Sequence, residues 1–74
     1  MLSEELTNQV YGFICAYNHE HGLPPTYAKI ADQLGITVSR VRRCLDILEA
    51  RGKIYRDFYA KPAIRLISNG SKQP

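Results

Sequence analysis

The chain has 74 residues, 45% of them hydrophobic and 23% charged, with a net charge of +3 at neutral pH. That is one small domain with a single modest core, too small for an elaborate buried active site, which argues against an enzyme. The charge is uneven: residues 1–39 hold Glu4, Glu5, Glu20 and Asp32 against Lys29, whereas residues 40–65 hold Arg40, Arg42, Arg43, Arg51, Lys53, Arg56, Lys61 and Arg65 against Asp46, Glu49 and Asp57, about −3 and +5.

An anionic partner for the second half is therefore expected, nucleic acid ahead of membrane, because no segment is both amphipathic and lysine-rich enough to lie on lipid. Acidic Glu4 and Glu5 stand where a signal peptide would carry positive charge, and no apolar run is long enough to span a bilayer. A cytoplasmic location follows as an expectation, and with it free thiols at Cys15 and Cys44.

The first helix is expected from an N-cap at Ser3 to about Glu20, with Leu6, Val10, Phe13, Ile14 and Tyr17 as its apolar face and Gly22 as its stop. Gly12 inside it suggests a close helix crossing. Cys15 and His19 stand at i and i+4, a spacing zinc can use, but with His21 and Cys44 they are better accounted for by packing and by the dipole at the helix end. No metal or cofactor is assigned. Tyr11, Tyr17 and Tyr27 are expected at the core or its edge.

Leu23-Pro24-Pro25 is stiff and extended, and fixes where a second helix starts, with Thr26 as N-cap. From Thr26 to Gly52 the sequence reads as two helices joined by a tight turn. Ile30 and Leu34 face a core, Ala31 is small enough for a close crossing, and Gly35 takes the positive φ of the turn. Ile36 plugs the corner, Thr37 caps the third helix, and Val41, Leu45 and Leu48 recur on its inner face. The outer face carries Ser39, Arg40, Arg42 and Arg43, residue types that reach phosphates and the acceptor edge of guanine in a major groove. Asp46 is expected to lie beyond the groove as a surface charge.

After Gly52 the periodicity changes to alternation, with Ile54 and Arg56 on one side and Tyr55 on the other, then Ile64 and Leu66 against Arg65 and Ile67. Two short strands with a loop from about Asp57 to Ala63 make a β-hairpin. Arg56, Phe58, Tyr59 and Lys61 surround its turn, a mix of cations and aromatics suited to a minor groove, a phosphate strand or a partner surface. Residues 68–74 are expected to be a disordered tail. The fold class is thus mainly α with a small hairpin, a three-helix winged helix-turn-helix domain over residues 1–67.

In this layout Leu23-Pro24-Pro25-Thr26, Ile30-Ala31, Leu34-Gly35, Leu45, Leu48, Gly52 and Ile64-Arg65-Leu66 resemble the landmarks of the LexA repressor N-terminal DNA-binding domain. The resemblance implies operator binding by the third helix, with the wing at the DNA backbone. Arg42 and Arg43 stand where that family carries acidic residues, and the turn into the third helix is one residue shorter, so the operator sequence is not implied. With 74 residues the sequence leaves no room for the family's self-cleaving domain, and its serine–lysine chemistry and dimerisation surface are not carried over.

The expected function is a sequence-specific double-stranded DNA-binding regulator, a repressor of the kind phages and mobile elements encode, with Thr37, Ser39, Arg40, Arg42, Arg43, Arg56 and Lys61 as DNA-binding residues. A homodimer on a two-fold symmetric site is expected, with Tyr11, Phe58 and Tyr59 as the self-association patch. The rival is a winged protein–protein interaction module in a replication or transcription assembly.

Overall fold

The computed structural model describes residues 4–60 and 63–67; Ser3, Lys61 and the tail from residue 68 lie outside them. The elements run α1 (Glu4–His21), α2 (Tyr27–Leu34), α3 (Val38–Ala50), β1 (Ile54–Arg56) and β2 (Ile64–Leu66). This is the mainly helical winged helix-turn-helix layout read from the sequence.

Each helix end has a chemical cause. Thr26 and Thr37 sit in extended backbone, and their hydroxyls accept from the N–H groups of Lys29 and Arg40 at 3.1 and 3.2 Å. These bonds satisfy donors that a helix start leaves unpaired. At the other end of α2, Gly35 has φ +66°, and Ile36 donates back to the Ala31 carbonyl at 3.0 Å. The end of α3 repeats this: Gly52 has φ +76°, its N–H reaches the Glu49 carbonyl at 3.0 Å, and Lys53 reaches Leu48 at 2.9 Å. That pair of bonds is the Schellman arrangement, which turns the chain sharply out of the helix and into the hairpin.

Helix α3 packs against α1, α2 and β1, so its inner stripe is the centre of the core. Val41, Cys44, Leu45 and Leu48 meet Val10 and Ile14 of α1, Ile30 and Ala31 of α2, and Ile54 and Ile64 of the hairpin. Cys44 is wholly buried, and Thr7 of α1, absent from the apolar pattern, is buried beside it with its hydroxyl 4.0 Å from the Cys44 Sγ. Burial pushes the Cys44 thiol pKa up, while the Thr7 contact and the charge of Arg40 pull it the other way. Leu6, Tyr11, Phe13 and Tyr27 are only partly buried against this centre.

The strands pair antiparallel, with Ile54 opposite Leu66, Tyr55 opposite Arg65 and Arg56 opposite Ile64. Three residues per strand are too few to persist alone, so Ile54 and Ile64, both fully buried, hold the hairpin on α3. Among the described residues no helix is long and apolar enough to cross a membrane.

The close crossing expected at Gly12 is absent: the residue is exposed, and a Cβ there would meet nothing within 4 Å. A Cβ at Gly35 would also find open space, yet its φ of +66° strains any side chain. The two glycines therefore respond oppositely. Gly12→Ala is expected to stabilise the fold by about 0.5–1 kcal/mol through the lost flexibility of the unfolded chain. Gly35→Val is expected to cost about 1–3 kcal/mol. In a domain of this size each kcal/mol moves Tm by about 4–8 °C. Thermal melts followed by circular dichroism check both signs.

Candidate nucleic-acid interface

With about 3.6 residues per turn, the four buried positions of α3 define one face and leave Ser39, Arg43 and Asp46 close to the opposite line, with Arg40 and Arg42 on its two flanks. All five are exposed. The Thr37 hydroxyl is occupied in capping, which fixes the first turn of α3 and hence where Ser39 and Arg40 emerge.

The three arginines differ in what surrounds them. The Arg42 guanidinium carbon lies 5.9 Å from the centre of the Tyr27 ring, on the side of α2 and the hairpin. Arg40 is on the side of Cys44 and α1. Among the described residues Arg40, Arg42 and Arg43 form no ion pair, whereas two other bases of this half do. Arg51 binds both carboxylate oxygens of Glu4 at 2.7 Å, tying the end of α3 to the start of α1. Glu4 is held below the usual carboxylate range by that hydrogen bond.

Arg56 is the other engaged base. Its side chain is only 14% exposed and turns from β1 onto α3, where Nε and Nη2 donate to Glu49 Oε1 at 2.9 and 2.7 Å and Nη2 also donates to Asp46 Oδ1. Burial works to lower the Arg56 pKa, but the hydrogen bonds to Asp46 and Glu49 and the charge of Asp46 outweigh it and raise the value further, so the guanidinium is permanently charged. The Tyr27 hydroxyl sits close enough to contribute, although it is buried without a partner in hydrogen-bonding geometry. Arg56, expected among the cations of the hairpin turn, is thus directed at the helix, and Asp46, expected as a solvated surface charge, is one of its two partners. The signal was present in the alternation: Arg56 shares its strand face with fully buried Ile54, and a charge on a buried face needs a partner.

The hairpin turn carries the aromatics outward. Asp57 accepts from Tyr59 N–H through its side chain at 3.1 Å and from Ala60 N–H through its carbonyl at 3.1 Å, which tightens the turn below two large side chains. Phe58 is 75% and Tyr59 101% exposed, so neither folds back on the core. Tyr11, by contrast, is partly buried, with Lys53 Nζ 5.6 Å from its ring centre. A groove between the start of α2, α3 and the hairpin is lined by Thr26, Tyr27, Arg42, Arg56, Phe58 and Ala63.

Because one hydroxyl anchors the first turn of α3, Thr37→Ala is expected to lower stability by about 1 kcal/mol, and Thr37→Ser to keep nearly all of it. Chemical denaturation of the two variants against the parent measures the difference.

The family described as the LexA DNA binding domain matches residues 3–63. A LexA repressor of Koribacter versatilis (strain Ellin345) is 27% identical over 60 residues, covering 80% of this chain and 29% of that protein. The chain therefore spans less than a third of the length of the curated relative it matches. Three helices with the second and third joined through Gly35, a two-stranded wing behind the third, and a match over most of the sequence lead to one conclusion: the chain belongs to the LexA DNA-binding domain family.

Proposed function

We propose that the chain is a sequence-specific double-stranded DNA-binding transcriptional regulator, a repressor that occupies an operator with α3 in the major groove and the wing beside it. The observation that carries this reading is the outer face of α3, where Arg40, Arg42 and Arg43 are exposed and free of carboxylate partners among the described residues. Guanidinium groups without carboxylate partners on the solvent face of a helix are donors for guanine edges and phosphates. The family match and the LexA repressor relative support the same reading.

Roles divide by position. Ser39 and Arg43, on the line farthest from the core, face the base edges. Arg40 and Arg42, on the flanks, meet the phosphates on either side, and the Tyr27 ring holds Arg42 ready. Thr37 serves DNA by fixing the start of α3. In the wing, Lys61 and Arg65 are the remaining cations for backbone contact, Lys61 lying outside the described residues.

One winged module offers only about 600–1,000 Å² of contact, less discrimination than a regulator needs among competing sites, so two copies on a two-fold symmetric operator complete the reading. The exposed aromatics Phe58 and Tyr59 support self-association at the wing. Tyr11 is a lesser contributor because its ring is already covered in part.

Selection from random duplex DNA, followed by fluorescence anisotropy at two salt concentrations, tests this. The selected site should be palindromic, and affinity should fall with salt at a logarithmic slope of about −0.9 per neutralised phosphate. Arg43→Ala should cost about 1–3 kcal/mol and relax one base pair of the site, whereas Arg42→Ala should weaken all sequences alike and reduce the slope by about one contact. Unchanged binding by the R40A/R42A/R43A variant would sink the assignment. A one-to-one complex in sedimentation, on a selected site without symmetry, would sink the dimer.

A further inference from the structure

Helix α3 carries three arginines and two carboxylates, Asp46 and Glu49, so its own charge is only +1. Both carboxylates lie within two turns of Arg42, on the side of the helix that faces the wing. Left alone they would stand beside the phosphates that Arg42 is to meet, and like charges at such range repel. The wing prevents this. Arg56 places one guanidinium across both carboxylates, Glu49 through Nε and Nη2 and Asp46 through Nη2, with its own side chain 14% exposed. The reading helix then presents a net +2 in place of +1.

We infer that Arg56 is a charge-masking residue: it acts on DNA through Asp46 and Glu49, neutralising the acidic flank of the reading helix, and does not itself touch the nucleic acid. The inference rests on the DNA-binding reading above and replaces the direct contact that the sequence suggests for this arginine. Three features of the structure support it. The side chain is largely covered and its Nε and Nη2 donors point at protein carboxylates, so a phosphate could take those two nitrogens only by displacing Asp46 or Glu49. Asp46 and Glu49 remain 64% and 39% exposed, so their charge would be felt at the surface if Arg56 were absent. Finally, arginine alone has the planar fork that serves two carboxylates at once, and a lysine would serve them only as a point charge.

The test uses the full chain, a selected labelled duplex and four proteins: the parent, R56Q, D46N/E49Q, and R56Q/D46N/E49Q. R56Q should bind about tenfold more weakly at low salt, and the loss should shrink at high salt because the repulsion is screened. D46N/E49Q should bind at least as tightly as the parent. The decisive arm is the third variant, whose α3 carries +3 with no acidic flank left to mask and which should bind within about threefold of the parent or more tightly. If it stays as weak as R56Q, Arg56 acts by contacting DNA or by holding the wing, and masking is overturned; unchanged affinity in R56Q overturns it too. An independent arm needs no DNA: the Arg56 Nε–H should give a protected resonance in the free parent that is lost in D46N/E49Q, and its absence from the parent removes the contact on which the inference stands. A parent that selects no duplex at all defeats the DNA-binding reading and this inference with it, whereas a parent that binds while the rescue fails defeats only the inference.

Discussion

Burial of one stripe of α3 is the constraint from which the rest of the molecule follows. Val41, Cys44, Leu45 and Leu48 must be covered from three directions, by α1, by α2 and by the hairpin, because no single neighbour is wide enough. Once that stripe is covered, the rotation of α3 about its axis is set, and the arginines on its other side can only point away from the core. The proposed DNA-binding surface is therefore one that the packing defines. A core change that rotated α3 by one residue would redirect every outward side chain by about a quarter turn or more.

Two kinds of interaction hold that arrangement. The local kind is the set of caps and glycine stops: Thr26 and Thr37 at helix starts, Gly35 and Gly52 at helix ends. These fix the angle between α2 and α3 and the path into β1 with backbone chemistry alone. The second kind is electrostatic and joins different elements. Arg51 ties the end of α3 to Glu4 at the start of α1, and Arg56 ties the wing to Asp46 and Glu49. In the positive half of the chain Arg51 and Arg56 thus bind protein carboxylates, whereas among the described residues the three arginines of α3 pair with none.

The local kind was legible in the sequence. Thr-Tyr-Ala-Lys at a helix start, Leu-Gly-Ile at a turn, and a switch from a spacing of three and four to a spacing of two after Gly52 each have one physical reading, and the structure has the corresponding element. What sequence reasoning missed depends on docking. Thr7 does not look like a core residue until Cys44 of α3 lies against it, 37 positions away. Gly12 invited a helix crossing that the packing does not use, because α1 meets its neighbours through the faces of Val10 and Ile14. Arg56 reads as one of the cations around the hairpin turn because its partners are on another element, seven and ten residues back. Its position on the same strand face as Ile54 was the one clue.

We propose the outer face of α3, completed by the wing, as the DNA-binding surface. The most direct measurement is a map of backbone amide shifts in ¹⁵N-labelled protein titrated with its selected duplex. The largest changes should fall at Ser39, Arg40, Arg42 and Arg43 and along the wing, with small changes on α1 from Phe13 to His21. Changes concentrated on α1, with α3 silent, would contradict it.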